Sequence, residues 1–135
     1  MIEIQGGTVM KLIGFRVLVI EDVSDIRDVF AILLRSEGAD VVATPSGQEG
    51  AELARSQRFD VVLSDLGLPD IAGDVLIRRL RAATGAATRV VVITGYGEPY
   101  LTRARQAGAD AVFTKPVEWT YILDYLRRPD LAASA

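Results

Sequence analysis

Phe59-Asp60-Val61-Val62-Leu63-Ser64-Asp65-Leu66-Gly67-Leu68-Pro69-Asp70 is a short apolar run that stops at an aspartate, with a glycine and a proline close behind. An apolar run of this length between turn residues reads as a buried strand of a parallel sheet. Asp65 stands where the strand ends and the loop begins. In open α/β sheets that carboxyl edge is where ligands bind. Other runs end in the same way. Val17-Leu18-Val19-Ile20 leads into Glu21-Asp22, Val90-Val91-Val92-Ile93 into Thr94-Gly95, and Ala111-Val112-Phe113-Thr114 into Lys115-Pro116. Strands that each deliver a polar group to one edge make a site.

The segments between these runs keep helical spacing. Ile26, Val29, Phe30, Leu33 and Leu34 follow Ser24, which is expected as an N-cap with Asp25 and Asp28 in the first turn, and Gly38 is the stop. A short strand is expected at 40–43. Ser46-Gly47-Gln48-Glu49 has capping-box spacing and opens a helix to about residue 57. After the Pro69/Gly73 turn, Val75, Leu76 and Leu80 are expected inward, and Arg78, Arg79 and Arg81 outward. A helix over about 98–107 is poor in large apolar residues and should pack shallowly, with some mobility, before Gly108. In the last helix Trp119, Ile122, Leu123 and Leu126 share a face. Arg127-Arg128 fall in its last turn and Pro129 ends it. Strand and helix thus alternate five times, which means a parallel sheet covered on both faces by right-handed crossovers.

The chain has 135 residues, 50% hydrophobic and 24% charged, so one ordinary globular domain is expected. Residues 1–15 are the least patterned and read as a leader or linker, 16–128 as the domain, and 129–135 as a tail too short for a second one. A chain of this size buries roughly 70% of its unfolded surface and needs no staple. With no cysteine there is neither a disulfide nor a thiolate metal site. With no histidine, the usual neutral-pH proton shuttle is missing. Any metal must be held by oxygen, which favours a hard cation such as Mg²⁺. A net charge of −3 without a basic block argues against a nucleic-acid surface. No apolar run is long enough for membrane insertion, and no signal peptide is present, so a cytoplasmic protein is expected.

Glu21, Asp22 and Asp65 share one pocket if strands 1 and 3 are neighbours. Two carboxylates about 4 Å apart repel by about 4 kcal/mol at an effective dielectric of 20. Such a cluster holds either protons or a divalent cation. Asp22, Asp65 and a backbone carbonyl after Asp65 offer part of an octahedral oxygen shell. Lys115 adds a point cation, Thr94 a hydroxyl, and Gly95 leaves room beside it. A metal, an ammonium and a hydroxyl around one carboxylate suit a phosphoryl group arriving there. Each signal alone has an ordinary reading: acids after a strand serve as turn residues, Asp65 as a helix cap, Thr94 as a strand end, Lys115 as a solvated charge. The ordered set is what points to a site.

Glu21-Asp22, Ser64-Asp65-Leu66-Gly67-Leu68-Pro69-Asp70 with Gly73, Ile93-Thr94-Gly95 and Phe113-Thr114-Lys115-Pro116 resemble the receiver domain of two-component response regulators over residues 16–128. The resemblance implies a flavodoxin-like (βα)5 doubly wound parallel sheet of strand order 2-1-3-4-5. It implies phosphorylation of Asp65 by a histidine kinase, a histidine phosphotransfer protein or a small phosphodonor. It implies Mg²⁺ on Asp22, Asp65 and the Gly67 carbonyl, with Glu21 acting through water. Thr94 would move toward the phosphate, Lys115 would pair with it, and Lys115–Pro116 would be a cis peptide.

Signalling would run through the helix 4–strand 5–helix 5 face. One departure bears on that route: the aromatic residue usual three positions before the lysine is Val112, and Phe113 should point to the opposite face. Tyr96 is expected to shield the phosphate, touch a partner, or stand as an exposed loop aromatic. Gly67 brings no side chain to the attacking water. Since no output domain follows helix 5 in this sequence, a stand-alone regulator and the receiver of a hybrid kinase are equal expectations, and Leu12-Ile13-Gly14-Phe15-Arg16 resembles the linker of hybrid kinases. A homodimer is left open. The rival readings are an aspartate-nucleophile phosphatase of haloacid dehalogenase type, a flavodoxin-like cofactor module, and an inactive pseudo-receiver used for docking.

Overall fold

The computed structural model describes residues 10–128. The elements run β1 (Arg16–Ile20), α1 (Ser24–Ser36), β2 (Asp40–Thr44), α2 (Gly47–Ser56), β3 (Val61–Ser64), α3 (Gly73–Thr84), β4 (Arg89–Thr94), α4 (Tyr100–Ala107), β5 (Ala111–Thr114) and α5 (Trp119–Leu126). All strand pairs are parallel, in the order β2-β1-β3-β4-β5. This is the flavodoxin-like sheet. The expectations for Gly6-Gly7, Pro129 and the 129–135 tail lie outside the described residues.

The central strands are apolar throughout because both of their faces are covered. Alternate residues divide between two cores. Val17, Val19, Val61, Leu63, Val91 and Ile93 pack with Leu34 of α1 and with Ile122, Leu123 and Leu126 of α5. Leu18, Ile20, Val62, Val90 and Val92 pack with Leu76, Ile77 and Leu80 of α3 and Ala104 of α4. Val112 and Phe113 fall on opposite faces in the same way. Leu12, in the described part of the stretch read as a leader, is fully buried in the first core, and its N–H donates to the Glu37 carbonyl at 2.8 Å.

Several local expectations need correction. Ser24 is the first helical residue of α1, and the cap position is Val23, which has no side chain to accept a bond. Ser46 does cap α2, accepting from the Glu49 N–H. The reciprocal half of the capping box is missing, because the Glu49 carboxylate is bonded to the Thr44 hydroxyl instead. On α3 the buried face is Leu76, Ile77 and Leu80, while Val75 is exposed. Arg81 does not point into solvent. Its guanidinium donates to the carbonyls of Thr88 and Gly108 at 2.8–2.9 Å and pairs with Asp110. That ties α3 to the turn before β5. Helix α4 begins at Tyr100, two residues later than expected, and buries only Ala104 and Ala107.

Arg89, at the start of β4, is buried and donates to the carbonyls of Tyr125, Leu126 and Arg128 at 2.7–3.1 Å. These carbonyls lie at and just past the C-terminal end of α5, where a cation is favoured. A sheet residue thereby caps α5 and holds it to the core.

Candidate functional site: an acidic edge with one lysine

Strand register brings the polar ends together. Ile20 pairs with Ser64, so Glu21 and Asp65 leave adjacent strands side by side. Thr94 pairs with Thr114, so Lys115 follows directly beside it. The ladder continues one step beyond the strands: Glu21 N–H donates to Thr44 O (3.1 Å), Asp65 N–H to Ile20 O (3.2 Å) and Lys115 N–H to Thr94 O (2.8 Å). The site residues therefore stand on backbone that the sheet itself holds.

Lys115 Nζ lies 3.3 Å from Asp65 Oδ2 and 3.3 Å from Glu21 Oε1. The Asp65 side chain is 13% exposed and that of Lys115 27%. The pair is thus partly desolvated, yet still open to a reacting group. Asp65 Oδ1 accepts from the Leu66 N–H at 2.7 Å and the Gly67 N–H at 3.3 Å. That fixes the carboxylate against its own loop and leaves Oδ2 toward the lysine. Glu21 Oε2 accepts from the Val23 N–H at 3.2 Å. Asp22 is exposed, and one oxygen from each of Glu21, Asp22 and Asp65 lies within 4.8 Å of the others.

Burial is the main influence on Glu21 and raises its pKa, against the Val23 N–H and the Lys115 charge. Burial would lower the pKa of Lys115. The charges of Asp65 and Glu21, with their hydrogen bonds, outweigh it, so the ammonium is held above its ordinary value. Three acids face one lysine here, and the excess negative charge and all-oxygen donor set fit a hard divalent cation.

Thr94 is buried at the end of β4, and its Oγ1 accepts from the Tyr96 N–H at 3.1 Å. Among the described residues no hydrogen bond joins its hydroxyl to Asp65 or Lys115. The Lys115–Pro116 peptide is cis, as is Glu98–Pro99. Tyr96 is half-exposed and stacks obliquely on Tyr100 of α4, with ring centroids 5.0 Å apart. Its hydroxyl reaches over Gly67: a Cβ built there would stand 3.1 Å from it. A cleft of about 580 Å³ opens beside the acidic edge, between the β3–α3 loop and α4, with Tyr96, Tyr100 and Arg103 on its far wall.

One contributor was missed in the sequence. Arg27 Nη1 donates to the Glu21 carbonyl at 2.9 Å and sits 3.4 Å from that of Asp22. A guanidinium from the first turn of α1 thus holds the backbone under both acids. Its place among Ile26, Asp28 and Val29 on a helix gave no signal of this.

The family profile described as the response regulator receiver domain matches residues 17–127. A response regulator receiver protein from Anaeromyxobacter is 36% identical over 109 residues, which is 81% of this chain and 46% of that protein. The chain spans less than half the length of the curated relatives it matches, 44–46%. A CheY-like receiver domain from Methanospirillum hungatei superposes with a TM-score of 0.83 at 26% identity, covering 89% of this chain and 97% of that one. The receiver domain of the sensor histidine kinase PA1611 from Pseudomonas aeruginosa, solved with magnesium in its active-site cleft, gives a TM-score of 0.78 at 27% identity, over 85% of this chain and 96% of that one. With the acids, the threonine and the lysine each at the end of its strand, and with a family match that runs from β1 through α5, the phosphatase and cofactor-module readings give way: this chain belongs to the response regulator receiver domain family.

Proposed function

We propose that this chain is a phosphoryl-accepting switch, with Asp65 as the acceptor. The observation that carries the reading is Lys115 Nζ at 3.3 Å from Asp65 Oδ2, beside an acid cluster within 4.8 Å. The donor is a phosphohistidine on a histidine kinase or phosphotransfer protein, or a small acyl phosphate. An Asp65 oxygen forms a bond to phosphorus while the donor's P–N or P–O bond breaks, and the donor leaves with the electron pair. Lys115 pairs with the incoming phosphoryl oxygens. The Thr94 hydroxyl donates to one of them after turning from its place beside Tyr96. Positioning and charge neutralisation supply most of the acceleration.

Asp22, Asp65 and the Gly67 carbonyl are the ligands assigned to Mg²⁺, with Glu21 acting through water. When bound, the ion supplies positive charge against the transferring phosphoryl group. The chain turns over no other substrate: it promotes its own phosphorylation and dephosphorylation. A cytoplasmic location goes with these donors, and among the described residues no helix is long and apolar enough to cross a membrane. The output is assigned to the α4–β5–α5 face, where a partner would read the phosphorylated state.

The test is labelling. With Mg²⁺ and a small acyl phosphate, intact-mass measurement should show one phosphoryl group per chain, and Asp65→Asn should abolish it. Full labelling of the Asn variant, or an unlabelled wild-type chain, would overturn the reading.

A further inference from the structure

A second cluster gathers on Asp70, at the far end of the loop that begins with Asp65. The first four N–H groups of a helix have no partners within it. In α2 all four are satisfied, two of them by the Asp70 carboxylate. Gly47 N–H donates to Asp70 Oδ1 at 3.1 Å and Gln48 N–H to Asp70 Oδ2 at 2.9 Å. Glu49 N–H donates to Ser46 Oγ at 3.0 Å, and the N–H of the cap residue Ser46 donates to Thr44 Oγ1 at 3.2 Å. The Ser46 hydroxyl donates to Asp70 Oδ2 at 2.8 Å, and Gln48 Nε2 donates to the Asp70 carbonyl at 3.1 Å.

These bonds cross between two separate loops. Negative charge at a helix N-terminus is favoured. The Gln48 N–H first, then the Ser46 hydroxyl and the Gly47 N–H, hold the Asp70 carboxyl below its usual range. Side chains of the loop also press on the helix start: a Cβ on Gly47 would stand 2.3 Å from Ile71 Cγ2 and 3.0 Å from Leu68 Cδ1. The arc from Asp65 to Asp70 is therefore pinned at both ends, by Asp65 Oδ1 on the Leu66 and Gly67 N–H groups and by Asp70 on α2. Gly67, whose carbonyl is assigned to the cation, stands between the pins.

We infer that Asp70 is a positioning residue for the cation site: anchored on the N-terminus of α2, it fixes where the Gly67 carbonyl stands relative to the Asp65 and Asp22 carboxylates. The inference rests on the reading under Proposed function and adds a residue that touches neither ion nor phosphate. Groups that orient metal ligands typically change affinity by about 10–100-fold when removed.

A structural cap alone would not discriminate, so the test pairs two lesions at the same helix end. Ser46→Ala removes the Glu49 cap bond and one contact to Asp70, but leaves Gly47 and Gln48 bonded to the carboxylate. Asp70→Ala releases the loop. Mg²⁺ affinity is read by calorimetry on unphosphorylated protein, alongside thermal stability. The expected result is affinity about tenfold weaker in Asp70→Ala, within about twofold of wild type in Ser46→Ala, and intermediate in Asp70→Asn, whose single amide oxygen replaces only one of the two accepting carboxylate oxygens. Gly47→Ala gives a second perturbation should Asp70→Ala not fold: its Cβ displaces the loop through Ile71, and affinity should again fall. Unchanged affinity in Asp70→Ala or Gly47→Ala overturns the inference. Equal losses in Ser46→Ala and Asp70→Ala do so as well, because helix capping then explains both. A wild-type chain that binds no Mg²⁺ sinks the functional reading itself, which is a distinguishable outcome.

Discussion

On one flank of the acidic edge, α2 and α3 meet the β3–α3 loop through a helix end with every leading N–H bonded, a glycine pressed against Ile71, and a wall of fully buried Leu76, Ile77 and Leu80. On the other flank, α4 buries two alanines, its cap residue Pro99 makes no side-chain bond, and no residue of the edge strand β5 is fully buried. Both flanks reach the same carboxylate, one through the Gly67 N–H and the other through Lys115. The first can hold a fixed geometry, because displacing it would break many bonds at once. The second has little buried surface to lose when a strand end shifts, so rearrangement there costs least. The proposed switch needs both properties, and the chain places them on opposite sides of Asp65.

The largest test of that contrast is in packing. Leu76→Ala should cost about 2–5 kcal/mol, as large-to-small changes in a closed core do. Val112→Ala, on the open flank and only partly buried, should cost about 1 kcal/mol. Chemical denaturation with unchanged slopes would measure both. Equal costs would show that β5 is packed as firmly as α3, and the contrast would fail.

Next in size is local opening. Backbone amides of α4 and β5 should exchange with solvent at least about tenfold faster than those of α3, corresponding to an opening free energy lower by about 1.4 kcal/mol. Uniform protection across the three elements would contradict the assignment of the output to the α4–β5–α5 face.

The Asp70 anchor should show in the pH dependence of stability. Its folded pKa is depressed, so the stability it contributes is present above the ordinary aspartate value of about 3.9 and is lost as pH falls through the folded value. The stability gap between wild type and Asp70→Asn should therefore be widest at neutral pH and shrink below about pH 4. A gap independent of pH would mean that the charge on Asp70 contributes nothing to the cap.

The parts of this structure legible in the sequence are those with a local signature. An apolar run ending in a polar residue gives both a strand and its site residue, so the sheet and the carboxylate–lysine edge could be read before any coordinates. The pairing partners of side chains on helices and loops carry no such mark. Asp70 reads as one more turn residue after Pro69, and its partners lie 22–24 residues earlier in the chain. Arg81 reads as the polar face of α3, because nothing local says that carbonyls of a later turn converge on it. Val75 and Ile77 both fit an apolar stripe, and only the angle at which α3 meets the sheet decides that Ile77 is the buried one. Ser24 fits a cap by type, yet the helix begins at it rather than after it.

The smallest expected effect lies where the two flanks touch, at Gly67 beneath the Tyr96 hydroxyl. Gly67 is not among the glycines with positive φ, so the backbone itself accepts a side chain. A Cβ would stand 3.1 Å from that hydroxyl and 3.4 Å from the ring carbon bearing it. The obstacle is the tip of a half-exposed side chain, which can give by a few tenths of an ångström. Gly67→Ala should then cost no more than about 0.5 kcal/mol, in the range of ordinary surface substitutions. Combining it with Tyr96→Phe should recover that cost, since the two changes touch and need not add. A loss of several kcal/mol in Gly67→Ala, unrelieved by Tyr96→Phe, would show that the loop backbone and not the tyrosine sets the limit. Tyr96 would then be resting on the rigid flank without engaging it.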